Sequence, residues 1–247
     1  PAEGAEAREV TDLELASRLS YFLWSSLPDA ELRNIAENRE LRVSANGERP
    51  LLEQTRRLLK DARSKRLAEQ FACQWLHIRN FDQTEEKNEN LYPEFANLRS
   101  SMYRETVFFF EDLIRNDGSI LDMLEADHTF LNEALARHYG IEGVTGEEFR
   151  RVGDLRSRGR GGILGMSTVL ASQSGASRTS PILRGNWVYE TLLGEKLPKP
   201  PAGVPVIPDE LPQGLTARQL IEKHSSVAAC AKCHAKIDPY GFALEGF

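Results

Sequence analysis

TDLELASRLSYFLWSSLPDAEL, residues Thr11 to Leu32, sets the fold class of this chain. Thr11 and Glu14 stand three apart at its start, the spacing of a capping box, in which hydroxyl and carboxylate satisfy the free N–H groups of a helix start. Leu13, Leu15, Leu19, Phe22 and Leu23 follow at mainly helical spacing. Pro28-Asp29 ends this segment and opens another helix through Leu32 and Ile35.

The same periodicity continues outward. It predicts helices over Leu51–Leu59, Leu67–Ile78 and Pro93–Ile114, the last stopped by Asn116-Asp117-Gly118. Short helices are expected at Leu121–Leu124 and Leu131–His138, the second closed by Gly140. Phe149-Arg150-Arg151-Val152 is the one expected extended piece. Residues 1–155 therefore read as an all-helical domain. Helices are also expected over Ile163–Leu170 and Ile182–Leu193, separated by a loop, Ser172 to Pro181. A proline-rich connector follows over residues 197–214, extended and semi-rigid. Thr216–His224 reads as a short helix leading into the last segment. No internal repeat is found.

Composition narrows the function classes. The chain has 247 residues, of which 40% are hydrophobic and 28% charged, enough apolar material for a core. No apolar run approaches the roughly 18 residues of a membrane span. A net charge of -6 argues against a nucleic-acid partner or an anionic membrane surface. Pro1 to Glu9 has neither the basic nor the apolar part of a signal peptide. Three cysteines are too few for a disulfide scaffold. Cys73, in the apolar run Phe71–Leu76, reads as a buried free thiol.

The other two cysteines carry the chemistry. Cys230-Ala231-Lys232-Cys233-His234 is Cys-x-x-Cys-His, the attachment signature of c-type haem. Two thiols three positions apart on a helical turn share one face and can bond to the two vinyl groups, and the adjacent imidazole becomes the axial ligand. Three alternatives stand beside it. A zinc site of Cys230, Cys233 and His224 lacks a fourth ligand from a second Cys-x-x-Cys or His-x-x-x-His. A thioredoxin-like pair lacks the strand and βαβ setting. The third is a chance match that binds nothing.

The tail CAKCHAKIDPYGFALEGF resembles the haem segment of the planctomycete-type multi-domain c-type cytochromes, large exported proteins catalogued as successive domains of unknown function. LASRLSYFLWSSLPDAEL (Leu15–Leu32), FACQWL (Phe71–Leu76), TFLNEALARHYGI (Thr129–Ile141) and RTSPILRGNWVYETLLG (Arg178–Gly194) resemble family stretches in the same order. The resemblance implies an extracytoplasmic, helix-rich haem protein, in the periplasm or at the cell surface. It also implies a central piece or processed form, since family members begin before the position of Pro1 and continue past that of Phe247.

The expected architecture is thus all-α, with a scaffold domain over 1–155 and a smaller cytochrome c-like region over 156–247. The expected cofactor is one covalent haem c on Cys230 and Cys233, with His234 as proximal ligand. Met166, expected inside an apolar helix, and His224 are the candidates for a sixth ligand; the default is a position left vacant or supplied from outside. His77, His128, His138, Met102 and Met123 read as structural. Asp238, four residues after His234, either accepts a hydrogen bond from the imidazole or begins a turn with Pro239 that ends at Gly241; the turn is preferred. Arg178 and Arg184 suit haem propionates, or ordinary surface ion pairs. Trp187, Tyr240 and Phe242 either pack on the haem or fill an ordinary core; the two roles look identical in the sequence. The expected function is single-electron transfer to a redox partner or to other domains of a larger assembly. A haem peroxidase or oxidase and a cell-surface structural or binding protein are the alternatives.

Overall fold

The capping box starts a helix where the sequence places it. The computed structural model describes residues 8–42, 49–198 and 214–247. Helix α1 spans Asp12–Trp24; Thr11 Oγ1 accepts from the Glu14 N–H at 3.3 Å and Glu14 Oε2 accepts from the Thr11 N–H at 2.7 Å. α2 spans Ala30–Glu37, with Asp29 as its N-cap. α3 spans Pro50–Lys60, proline occupying the first turn where its missing N–H costs nothing. A 3₁₀ turn, Ala62–Ser64, leads into α4, Lys65–Leu67.

These elements close around Trp24, which is fully buried among Leu23, Leu32, Leu41 and Leu58. Its indole N–H donates to the Leu58 carbonyl at 2.9 Å, so burial leaves no orphaned donor. The Arg63 guanidinium lies 3.4 Å from the centre of the Trp24 ring. Arg57 forks onto Asp29 at 2.8 and 3.0 Å and holds that carboxyl below its ordinary value. Residues 1–72 with 110–119 form this first compact unit, and residues 73–109 with 120–247 form the second.

A π turn over Ala68–Ala72 precedes α5, Cys73–Trp75. The expected helix to Ile78 therefore stops early: His77 takes the left-handed backbone, φ 62°, which turns the chain so that Leu76 and Ile78 are both buried. α6 spans Phe95–Arg115 and α7 spans Asp122–Glu125. The expected extended piece exists as β2, Arg150–Gly153, paired antiparallel to β1, His128–Leu131, with Thr129 opposite Val152. β1 takes the first residue of the helix expected at Leu131–His138. Asn132 caps what remains, α8, Glu133–His138.

The expected helix over Ile163–Leu170 is also divided. A 3₁₀ turn covers Ile163–Gly165, Met166 is extended, and α9 spans Ser167–Ser172. The Tyr139 hydroxyl accepts from the Ser167 N–H at 2.8 Å, acting as a cap from outside the segment. The loop after α9 folds back through a bridge between Ser174 and Thr179. α10 spans Pro181–Trp187 and continues as a π turn, Val188–Leu192. α11 spans Ala217–Ser225 and α12 spans Ala228–Ala243. Most of the proline-rich connector, residues 199–213, lies outside the described residues. The chain is mainly α-helical, as expected, and among the described residues no helix is long and apolar enough to cross a membrane.

Candidate functional site

α12 carries the Cys-x-x-Cys-His segment, yet its own sequence supports it poorly. Pro239 sits inside it and removes one backbone hydrogen bond, and its apolar residues are not gathered on one face. Packing holds it instead. Gly185 of α10 lies so close to α12 that a Cβ there would fall within 2.8 Å of the Ile237 carbonyl carbon. A Cβ on Gly241 would fall within 2.6 Å of the Pro181 carbonyl carbon. Two glycines, one per helix, therefore let the backbones of α10 and α12 touch. Arg184, 4% exposed, closes the end of the pair: it donates to the Leu244 carbonyl at 2.6 Å and to Glu245 at 3.0 Å. On its other side α12 meets α11, where Ile221 and Ile237 are buried and the Arg218 guanidinium lies 4.6 Å from the centre of the Phe242 ring.

This packing fixes the reactive face. Cys230, Cys233 and His234 stand at i, i+3 and i+4 of one helix, so they share a side. Both cysteines are half-buried thiols and His234 is buried. His234 Nδ1 lies 2.8 Å from Asp238 Oδ1, one helical turn on, and Asp238 is buried too. The preferred expectation of a turn at Asp238-Pro239 is thereby corrected: the helix runs through both residues to Ala243 and aims the carboxylate at the imidazole. With Nδ1 donating its proton to Asp238, the Nε2 lone pair is the one left to coordinate. The donor set therefore fits a c-type haem: two accessible thiols, and one imidazole with its tautomer and ring orientation held.

The remaining candidates are spread through the second unit. His224 of α11 contacts His234 directly, with ring centroids 5.0 Å apart and planes at 70°. The two rings pack edge to face, and either could present a nitrogen to a metal. Met166 is 2% exposed, outside any helix, with its sulfur accepting from Thr106 Oγ1 at 3.6 Å. Trp187 is buried with its indole N–H on the Leu76 carbonyl at 3.0 Å, Phe242 is half-buried and Tyr240 is exposed. Arg178 donates to the Thr179 carbonyl at 3.2 Å. The surface ion pair considered for Arg184 is instead a buried one. From His234 to Leu244 the chain advances ~15 Å along α12, so the Arg184 guanidinium is anchored well away from the imidazole. Among the described residues no group of three or more His, Cys, Asp or Glu side chains could hold a metal ion, which leaves the Cys230, Cys233, His224 zinc set without support.

A second polar cluster went unread in the sequence. Glu105 of α6 is 1% exposed; its oxygens accept from Thr129 Oγ1 at 2.6 Å and from the Tyr139 hydroxyl at 2.5 Å. Burial pushes its pKa up to about 7 against the lowering effect of those two bonds. Burial and the neighbouring Glu105 also drive the Tyr139 hydroxyl well above its ordinary range. The cluster ties α6, β1, α8 and the start of α9 together. One signal was available: Met102, Glu105, Thr106 and Phe109 share a helical stripe, so an acid falls on the buried face.

Residues 10–141, just over half of the 247, match the family model PSD4, described as a protein of unknown function (DUF1592). The chain belongs to the PSD4 family. Residues 160–247 match a second model, PSCyt3, also described as a protein of unknown function (DUF1588). Both are planctomycete-type, cytochrome-associated domains of unknown function, and the PSCyt3 stretch contains α9 to α12 with Cys230, Cys233 and His234. No curated protein and no solved structure matches this PSD4-family chain.

Proposed function

We infer that this chain is an extracytoplasmic c-type cytochrome that transfers single electrons through one haem held by Cys230, Cys233 and His234. The observation that carries the reading is the 2.8 Å contact of His234 Nδ1 with Asp238 in the helix that bears both thiols. Once attached, the haem would supply a one-electron couple. The chain's own residues do the rest. The two sulfurs would fix the group covalently, His234 would present Nε2, and Asp238 would hold the ring in one orientation and raise its basicity. The α10–α12 contact would keep that helix rigid, so little reorganisation accompanies a change of charge. Covalent attachment of this kind takes place outside the cytoplasm in bacteria, which supports an extracytoplasmic location. The acceptor or donor is a redox protein or another domain of a larger assembly.

The test is expression alongside the haem-attachment machinery, followed by intact-mass analysis and an optical spectrum. One haem added to the polypeptide mass, a Soret band that survives denaturation and a c-type pyridine haemochrome are the expected results. A colourless protein at bare polypeptide mass, or a zinc adduct, overturns the reading. High-spin iron whose spectrum responds to peroxide would move it to the peroxidase class. In the haem-loaded protein, Asp238→Asn should raise the midpoint potential, because an anionic acceptor on the imidazole favours the ferric state. An unchanged potential would remove Asp238 from its role.

A further inference from the structure

The second unit holds a cavity of about 470 Å³ that the reading above does not use. Its apolar wall comes from Phe95, Leu98 and Met102 of α6, Leu91 before that helix, and Leu170 with Ala171 of α9. Cavities of about 300–1,000 Å³ with mainly apolar walls and a few placed polar groups are the usual seats of small ligands. Cys230, Cys233, His234 and Asp238 are not among its lining residues.

The charged groups on this cavity are mainly cationic. Lys87, Arg160, Arg178 and Arg184 line it, and Glu94 is the one carboxylate among the described lining residues, in a chain whose net charge is -6. Arg184 has its countercharge in Glu245. Lys87 feels Glu86 and Arg160 feels buried Glu105, but in each case at a distance beyond direct contact. Lys87 Nζ is half-buried and donates to the carbonyls of Ser174 and Gly175 at 2.9 and 3.0 Å. Arg160 donates to the Gly165 carbonyl at 2.7 Å and lies 4.0 Å from the centre of the Tyr139 ring. Among the described residues neither forms an ion pair with a carboxylate. Two cations held at the edge of an apolar cavity by neutral acceptors are preorganised for an anion that an apolar body brings with it. His138 lines the same cavity, and burial lowers its pKa, so it presents a neutral ring there.

We propose that this cavity binds an organic monocarboxylate with an apolar body, its chain against Leu98, Met102 and Leu170 and its carboxylate on Lys87 and Arg160. A phosphate headgroup would satisfy the same cations, but a monoanion matches two partly engaged donors with less buried charge.

Calorimetric titration of the intact chain with decanoate, decanol, decyl phosphate and decyltrimethylammonium tests this. Decanoate should bind, decanol about tenfold more weakly or worse, and the cationic amphiphile not at all. Lys87→Met should cost decanoate about tenfold and leave decanol unchanged. Ala171→Phe and Leu98→Trp place bulk in the cavity and should abolish binding while the circular dichroism spectrum is kept; Ala171 is only half-buried, so its variant remains informative if Leu98→Trp fails to fold. Equal binding of decanol, tighter binding of decyl phosphate, or binding untouched by Ala171→Phe overturns the proposal. None of these readouts depends on haem.

Discussion

Gly241→Ala should lower the unfolding free energy of this protein by about 3 kcal/mol or more, at the upper end of what overpacking costs. The reason is the atom the new methyl would meet. It is the Pro181 backbone carbonyl, which cannot rotate away as a side chain can. Relief requires α10 and α12 to separate, and that exposes Ile237 and loosens the Arg184 contact with Leu244. Gly185→Ala meets the Ile237 carbonyl from the other side and should cost as much. The strain is one of approach and not of backbone conformation, since neither glycine has a positive φ. Gly246 provides the control, because a Cβ there meets nothing within 4 Å and Gly246→Ala should be near neutral. Urea unfolding followed by Trp fluorescence makes the comparison. A loss below about 1 kcal/mol for both interior variants would mean the helices do not touch backbone to backbone.

The second large effect is a pH dependence centred on Glu105. Its carboxyl titrates at an ordinary value of 4.5 in the unfolded chain and at about 7 in the folded one. Below 4.5 both states hold the proton and burial carries no charge penalty. Between the two values only the folded state holds it, so stability falls as pH rises through this window. Above about 7 the penalty is complete, of the order of 3 kcal/mol. Unfolding free energies at intervals from pH 4 to pH 8 should therefore decline in the wild type by this amount beyond the decline in Glu105→Gln. Glutamine keeps the shape, accepts from one of the two hydroxyls and donates its amide N–H to the oxygen of the other, but cannot ionise. Parallel profiles for the two proteins would show that Glu105 is charged, or solvated, throughout.

Much of the fold was legible because its signals are local. The Thr11–Glu14 capping box and the Asn116-Asp117-Gly118 stop each act within one turn of helix. The sequence also flagged the extended residues at β2. It hid β1, because the partner strand is specified by pairing with residues some twenty positions away, and its own pattern lies next to a genuine helix. Met166 was placed inside a helix for a related reason. Its neighbours are helical by composition, while the break is made by the Tyr139 hydroxyl capping Ser167 from another segment.

The candidate site divides along the same line. The spacing of Cys230, Cys233 and His234 was set by sequence alone, since three residues within five positions share a helical face whatever surrounds them. Local rules assigned Asp238-Pro239 to a turn, and local rules were overridden. α10, some fifty residues earlier, packs Pro181 and Gly185 against Gly241 and Ile237 and so keeps the proline-bearing segment helical. Only that contact carries Asp238 to His234. Burial likewise decides the proton on Glu105, because the free energy of a charge depends on what encloses it and not on its neighbours in the chain.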